Sequence, residues 1–199
     1  MGAQPAPTPG HRTRQGIATI AGARSHGWGL IAEVLAPPGP ELVARLRSGE
    51  YVEELRLATS WIGDDGGRFL NSFMSLDVYE RRAARRTPEQ DLEDLQGEYA
   101  RLFPGDAPAA LGAAQDMAGR CDQEADAWRT GDHDRAKRLR LEQFEVLEAE
   151  LIDTLPQWCV WLSRESRVAL YRTVAHLVSS YLSIESGRDF DRLHFSTEA

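Results

Sequence analysis

The sequence has little of what disulfide and metal sites need. Only two cysteines and five histidines occur among its 199 residues. Cys121 and Cys159 each lie on an apolar helical face, so we expect two buried free thiols rather than a disulfide framework, a redox pair or a zinc site. No two histidines stand three or four residues apart, which excludes metal-binding patterns built on such pairs in a helix. We therefore expect neither a metal nor another cofactor.

Long apolar runs are also missing. No run approaches the ~20 residues that a membrane-spanning helix needs. The N-terminal stretch MGAQPAPTPGHRTRQG lacks the apolar core of a secretory signal. We therefore expect a cytoplasmic protein without a membrane span. The expected organisation is a disordered leader over residues 1–15, one helical domain over 16–187 and a loose tail over 188–199.

Excess positive charge is the next absent feature. The formal net charge is -8, and phosphate contacts need a basic face, so nucleic acid is not an expected partner. A basic partner would suit this charge better. Charged residues make up 27% and hydrophobic residues 42%, a composition typical of a globular domain.

Enzyme motifs are equally scarce. The GDHD stretch resembles a His-Asp metal pair, but an N-cap at Asp132 explains it better. GDDGG lacks the Lys-Ser/Thr of a phosphate loop, and no Gly-x-Ser-x-Gly nucleophile motif occurs. Glutamates recur every three residues at Glu142, Glu145 and Glu148, but the chain contains no Glu-x-x-His, which a di-iron bundle needs. We therefore expect these glutamates to form a solvated helix face together with Arg138 and Arg140. The sequence therefore predicts that the protein is not an enzyme.

Helical punctuation recurs along the whole chain, whereas strand signals are almost absent. Proline and glycine separate segments whose apolar residues repeat every three or four positions. The predicted fold is therefore all-α, a single-domain bundle of about eight to ten helices. Predicted core positions are Trp28, Ile31, Leu35, Leu42, Val43, Leu46, Tyr51, Leu55, Ala58, Ile62, Leu92, Leu95, Leu111, Ala114, Met117, Cys121, Ala125, Trp128, Leu170, Val174, Leu177, Tyr181 and Ile184.

Three helices have particular predicted features. One carries Phe69, Phe73 and Leu76. Another begins in TPEQ, where Thr87 as N-cap and Gln90 form a capping box around Pro88. A long helix is predicted from about Asp132 to Leu155, with an inward stripe formed by Leu139, Phe144, Leu147, Leu151 and Leu155.

The stretch DLEDLQGEYARLFPG ends its helix in a cluster of aromatic and aliphatic residues. Tyr99, Leu102 and Phe103 form this cluster, while Arg101 points to another side and can pair with Glu98. Helical spacing alone fits core packing of Tyr99 and Leu102 as well as a recognition surface. The same two interpretations apply to Trp158 and Trp161, which stand three residues apart in PQWCVWL and could line a groove or fill a core.

Three stretches together resemble the TorD/DmsD/NarJ family of redox-enzyme maturation chaperones. GWGLIAEVLAPPGPELVARLRSGEYVEEL is similar to the opening helix of the family, which ends at a Pro-Pro-x-x-Glu-Leu turn. DLEDLQGEYARLFPG resembles its Glu-Tyr-x-Arg-Leu-Phe motif. FEVLEAELIDTLPQWCVWL resembles a later helix that ends in His-Leu-x-x-Trp-x-Pro, with Glu150 and Thr154 at the His and Trp positions. The likeness covers most of the chain from Arg24 to about Gly187.

The resemblance implies a helical chaperone without a cofactor of its own. Such a chaperone binds the N-terminal twin-arginine leader of the precursor of a molybdopterin oxidoreductase catalytic subunit, in the DMSO reductase family, and holds the apoenzyme until cofactor insertion. Arg101 would fix a helix end, and the surface would include Tyr99, Leu102, Phe103, Glu150, Leu155, Pro156 and Trp158. A helical assembly or regulatory protein that binds no leader is the alternative. The chain is compatible with a monomer or a domain-swapped dimer.

Overall fold

Eight α-helices make up the part of the protein that the computed structural model describes, which comprises residues 14–62, 85–105 and 108–187. No strand occurs in these ranges, so the prediction of an all-α bundle is confirmed. In chain order the helices are α1 (Arg14–Leu35), α2 (Pro40–Ser48), α3 (Glu50–Thr59), α4 (Pro88–Leu102), α5 (Ala109–Thr130), α6 (His133–Val146), α7 (Leu155–Glu165) and α8 (Ala169–Ser186).

Some predicted segments lie outside the described residues. These are most of the leader, the tail after Gly187, and the helix with Phe69, Phe73 and Leu76. At the leader boundary the structure begins earlier than the sequence analysis placed it, because α1 already starts at Arg14.

Local signals set many helix boundaries. Pro40 lies in the first turn of α2, where its missing N–H removes no helical hydrogen bond. Gly49, at a φ of 79°, both ends α2 and begins α3, and a residue without a Cβ accepts this left-handed conformation at low cost. At the start of α4 the capping box is confirmed. The Gln90 N–H donates to Thr87 Oγ1 at 3.3 Å, and the Thr87 N–H donates to Gln90 Oε1 at 3.0 Å.

The long helix predicted from Asp132 to Leu155 is wrong in its extent. Helix α6 stops at Val146, a π-helical turn covers Leu147–Leu151, and α7 begins at Leu155. The inward position predicted for Phe144 is also wrong, since 43% of this side chain is exposed. Gln143 takes the buried position instead, because its amide is hydrogen-bonded inside the bundle.

In the described ranges a large apolar core joins all eight helices, to which α6 contributes only its last residue, Val146. A second, smaller cluster of Ala127, Ala136 and Leu139 lies between α5 and α6. Helix α1 packs most extensively against α5 and also contacts α3 and α8. The Trp28 and Tyr181 rings meet edge to face at 5.2 Å, and both side chains are fully buried. Most of the predicted core positions in the described ranges are confirmed as buried: Trp28, Ile31, Leu35, Leu42, Val43, Leu46, Tyr51, Leu55, Ala58, Leu95, Ala114, Met117, Cys121, Ala125, Leu170, Val174, Leu177 and Tyr181. Five others are only half-buried: Ile62, Leu92, Leu111, Trp128 and Ile184.

Helices α1 and α8 approach closely at Gly27. A Cβ at this position would lie 2.5 Å from the Tyr181 hydroxyl oxygen and 2.9 Å from the ring carbon that bears it. Such a contact is far inside van der Waals distance, so the packing of Tyr181 depends on the absence of a side chain here.

Both cysteines are buried and neither forms a disulfide, as the sequence predicts. They lie on α5 and α7, within the core. In the described ranges, no helix is both long enough and apolar enough to cross a bilayer.

Candidate functional site

The C-terminal turn of α4 places part of its cluster in the core. Tyr99 and Leu102 are 9% and 5% exposed. The Tyr99 hydroxyl donates a hydrogen bond to the Leu35 carbonyl at the end of α1, at 3.2 Å. These two residues therefore pack inward, and they anchor the end of α4 to α1.

Phe103 lies at the surface end of the same cluster and contacts three aromatic rings. Its ring centroid is 4.9 Å from that of Tyr99, 6.4 Å from that of Trp158 and 6.1 Å from that of Trp161. Phe103 and Trp158 are stacked at an interplanar angle of 21°. Phe103 and Trp158 are half-buried, and Trp161 is 40% exposed. We call Phe103, Trp158 and Trp161 the aromatic surface, with Tyr99 beneath it.

The aromatic surface joins two stretches that are far apart in the chain. Phe103 follows α4, whereas both tryptophans come from α7. Trp161 was not among the predicted site residues, although its spacing of three residues from Trp158 already places both on one side of a helix. The structure therefore brings the two predicted motifs together through Phe103 and places Trp161 beside Trp158 at their contact.

The other residues predicted from the second motif lie deeper or are not described at the side-chain level. Leu155 is 3% exposed and belongs to the main core, and Pro156 is buried in the first turn of α7. Both support the base of α7 rather than its outer face. Glu150 belongs to the π-helical turn, and the position of its side chain lies outside the description.

A polar contact fixes the end of α4 against the corner between α7 and α8. Glu98 accepts hydrogen bonds from Arg101 Nε at 2.8 Å, from the Ser166 hydroxyl at 3.1 Å and from the Arg167 backbone N–H at 2.6 Å. Arg101 Nη2 also donates to the Glu165 carbonyl at 2.6 Å. We call this set the Glu98 clamp. Arg101 thus fixes the helix end as the sequence analysis expected.

Electrostatics favour the charged form of Glu98 in this clamp. The hydrogen bond from Arg101, with those from Arg167 and Ser166, lowers the pKa of the Glu98 carboxyl to about 2, although burial by itself would raise it. Helical spacing predicts only the pairing of Glu98 with Arg101. The contacts with Ser166 and Arg167 join residues more than sixty positions apart, and no local pattern identifies them.

A second polar cluster is buried between four helices and was not predicted. Arg24 of α1 donates two hydrogen bonds to the Glu185 carboxylate of α8, at 2.7 and 2.6 Å. Its Nη1 donates to Gln143 of α6 at 2.8 Å and to Glu124 of α5 at 3.2 Å, and Gln143 donates to Glu124 at 2.9 Å. We call these four residues the Arg24 network.

The Cys121 thiol lies beside the Arg24 network, where it donates a hydrogen bond to Gln143 Oε1 at 3.6 Å. Burial alone would lower the pKa of Arg24, but the Glu185 carboxylate more than offsets this and raises it. Burial raises the pKa of the Cys121 thiol to about 12, and neighbouring Arg24 only partly opposes that shift. The thiol therefore stays protonated at neutral pH, which makes it a poor nucleophile.

No family model, curated protein or solved structure matches this chain.

The GDHD stretch lies at the start of α6. Asp132 caps α6 by accepting the Arg135 N–H at 3.1 Å, as the N-cap interpretation predicted. His133 is half-buried with its ring 5.2 Å from that of Trp128. Within the ranges that the structure describes, no group of three or more His, Cys, Asp or Glu could hold a metal ion. The GDDGG stretch lies outside these ranges.

The predicted solvated face of α6 is largely confirmed. Glu142, Glu145 and Arg138 of α6 are exposed, as is Glu148 of the π-helical turn that follows it. Arg140 is the exception, because it is half-buried and lies 3.8 Å from the buried Glu185. The aromatic surface is apolar, partly exposed and adjacent to the Glu98 clamp, and these features suit the binding of a partner.

Proposed function

We propose that this protein is a chaperone of the TorD/DmsD/NarJ type that acts in the cytoplasm and has no enzymatic activity. In this proposal it binds the N-terminal twin-arginine leader of a molybdopterin oxidoreductase precursor of the DMSO reductase family. It would hold the apoenzyme until the cofactor is inserted and delay export until then. The observation that carries the proposal is the contact of Phe103 with Trp158 and Trp161, which unites two of the stretches that resemble the family.

The aromatic surface suits the apolar part of a leader. A leader that forms a helix can lay its apolar side against exposed aromatic rings, as amphipathic helices do in apolar grooves. Trp161 alone leaves 40% of its side chain exposed. Covering this fraction removes about 100 Å² of aromatic surface from water and contributes about 2 kcal/mol. Phe103 and Trp158 add to this area, so a small number of rings can anchor the peptide.

The charge of the protein suits the basic part of a leader. The formal net charge is -8, which attracts paired arginines at long range. This attraction raises the association rate more than the final affinity, so association should slow as the salt concentration rises.

The proposal is tested by capturing the partner from native cytosol with the tagged full chain and identifying it by mass spectrometry. We expect a molybdopterin oxidoreductase precursor whose capture is lost when its leader is deleted. Phe103→Ala should weaken capture about tenfold or more while the circular dichroism stays unchanged, because truncating a central aromatic anchor typically costs more than 1 kcal/mol. Leu57→Ala is the matched control, since Leu57 is 61% exposed on α3 and should leave capture unchanged.

Two outcomes would contradict this function. If the precursor is still captured without its leader, the protein contacts the body of the enzyme and not the leader. If no such precursor is captured, the alternative of a helical assembly or regulatory protein stands instead. Loss of helical structure in Phe103→Ala would reassign Phe103 to the core.

A further inference from the structure

The aromatic surface forms where α4 ends against α7. Among the described residues, the backbone of α4 lies chiefly against that of α2, and no comparable approach of backbones joins α4 to α7. Phe103 follows α4, and its N–H donates to the Tyr99 carbonyl at 2.9 Å. Its ring, however, stacks on Trp158 of α7. The place of Phe103 against the tryptophans therefore depends on how the end of α4 lies on α7.

The Glu98 clamp links these two helices at the same end. The Glu98 carboxylate accepts from the Ser166 hydroxyl at 3.1 Å and from the Arg167 N–H at 2.6 Å, directly after α7. Arg101 donates to Glu98 at 2.8 Å and to the Glu165 carbonyl, at the last residue of α7, at 2.6 Å. These contacts join the C-terminal part of α4 to the C-terminal end of α7.

The clamp and the ring contact lie at equal intervals along the two helices. Phe103 comes five residues after Glu98, and Trp161 comes five residues before Ser166, an interval of about 7.5 Å at the helical rise. Glu98 contacts Ser166 at one end of this interval, and Phe103 contacts Trp161 at the other. The two helix ends are thus antiparallel and joined at two points. Because helices move as rigid elements, a shift at the clamp displaces the rings.

Glu98 is suited to hold this alignment. It is 6% exposed, and its pKa of about 2 keeps it ionised at neutral pH, where hydrogen bonds to a charged acceptor are strong. Two other polar contacts of α4 lead elsewhere. The Tyr99 hydroxyl donates to the Leu35 carbonyl of α1, and the Gln96 amide donates to the Pro38 carbonyl just before α2. Neither contact aligns α4 with α7.

We propose that Glu98 is a positioning residue of the aromatic surface: through the clamp it holds Phe103 against the tryptophans of α7, in the arrangement that a partner contacts. Glu98 is buried, so it acts on binding only through Phe103. An arrangement that exists before binding spares the partner the cost of ordering these side chains. The role in leader binding rests on the proposed function, whereas the effect on the rings does not.

The effect on the rings is measured without a partner, by fluorine NMR of the full chain labelled with fluorotryptophan. Each of the five tryptophans gives one resonance, and variants that replace one tryptophan each assign them. Glu98→Gln should move the resonances of Trp158 and Trp161. Phe103→Ala should move them in the same direction, because both changes remove the Phe103 ring from its place.

A double variant tests whether Glu98 acts through Phe103. Once Phe103 is replaced by alanine, Glu98→Gln should cause no further movement of the two resonances of α7. Movements that add in the double variant overturn the proposal, because Glu98 then acts independently of Phe103. Resonances that stay in place in Glu98→Gln overturn it as well.

Gly27→Ala is the matched control, since it disturbs a different aromatic contact. Its Cβ would displace the Tyr181 ring, which meets Trp28 edge to face. This variant should therefore move the Trp28 resonance and leave those of the aromatic surface in place, the reverse of the pattern expected for Glu98→Gln. If both variants move the same resonances, the effect is a general loosening of the fold and the positioning role is refuted.

Arg101→Met tests the clamp from its exposed side and does not require that Glu98→Gln folds. A methionine keeps the apolar stem but donates neither to Glu98 nor to the Glu165 carbonyl. The resonances of the aromatic surface should move less than in Glu98→Gln, because Ser166 and Arg167 still hold the carboxylate. Resonances that stay in place in this variant contradict the role of the clamp.

Capture of the oxidoreductase precursor from cytosol tests the consequence for binding. Glu98→Gln should lower capture about fivefold or more, while Gly27→Ala should leave it unchanged, at a temperature at which circular dichroism shows both variants folded. If Glu98→Gln captures as much precursor as the wild type and Phe103→Ala does not, the positioning role is overturned. If the wild type captures no precursor, the proposed function fails, and the NMR pattern alone decides whether Glu98 positions the rings.

Discussion

Neutralising Glu98 should destabilise the protein in a way that depends on pH. Its pKa lies at about 2 in the folded protein, below its ordinary value of 4.5, chiefly because Arg101 donates to it. A shift of this size corresponds to about 3 kcal/mol at about 1.4 kcal/mol per pH unit. The partner Arg101 is exposed to solvent, which screens the pair, so we expect Glu98→Gln to cost about 1–2 kcal/mol at neutral pH.

The sign follows from proton linkage. A carboxyl group whose pKa is lowered by folding stabilises the protein fully above its unfolded pKa, and this contribution is lost as the pH falls through the folded pKa. The difference in unfolding free energy between wild type and Glu98→Gln should therefore be largest at pH 7 and shrink between pH 4.5 and about 2.

Urea denaturation followed by circular dichroism at a series of pH values measures this difference. Glu93→Gln is the matched control, because Glu93 is an exposed carboxylate on the same helix. We expect that control to change stability by less than about 0.5 kcal/mol. A difference between wild type and Glu98→Gln that stays constant from pH 7 to pH 3 would refute the role assigned to the charge of Glu98.

Two further predictions concern packing and buried charge, and chemical denaturation measures both. Gly27→Ala should lower the free energy of unfolding by about 1–3 kcal/mol, since its Cβ would displace the Tyr181 ring. Gly29→Ala is the control and should be neutral or stabilising, because nothing lies within 4 Å of its Cβ. Equal effects of the two substitutions on stability would contradict the close approach of α1 and α8 at Gly27. Arg24→Met should cost about 3–5 kcal/mol because it leaves the buried Glu185 carboxylate without its main partner. Adding Glu185→Leu should recover part of this loss, and a double variant no more stable than the single one would show that the unpaired charge is not the cause.

The sequence was sufficient where the determining signal is local. The capping box of Thr87 and Gln90 needs only residues three positions apart, and the structure contains it as predicted. Gly131 and Gly187 end their helices in the left-handed conformation, at φ of 81° and 69°. Apolar spacing likewise identified buried positions such as Trp28, because a helix has one face towards the core.

The sequence was insufficient where a side chain is positioned by a distant partner. Gln143 and Phe144 are adjacent, and apolar periodicity favoured the aromatic residue for the core. The structure buries Gln143 because Arg24, more than a hundred residues away, donates to its amide oxygen. Glu98 is a similar case, since its contact with Arg167 depends on how α4 meets the start of α8.

Only part of the candidate site was predictable, because the contact that assembles it also joins residues distant in the chain. The sequence indicated the aromatic cluster at the end of α4 and the tryptophans of α7 separately. Their meeting through Phe103 is a tertiary contact, which neither helical pattern contains. Leu155 and Pro156 belonged to the same motif as Trp158, and only the packing of α7 shows that they lie beneath it.

The Arg24 network has a consequence for how the chain folds. Its members come from α1, α5, α6 and α8, and Arg24 is 161 residues from Glu185, so the network cannot form before both ends of the chain have met. Charged groups are dehydrated only when their partners are in place, because an unpaired buried charge is costly. We therefore expect these contacts to be absent from the transition state for folding. Substitutions in the network should then accelerate unfolding and leave the refolding rate nearly unchanged, which makes Arg24 a determinant of the lifetime of the native state.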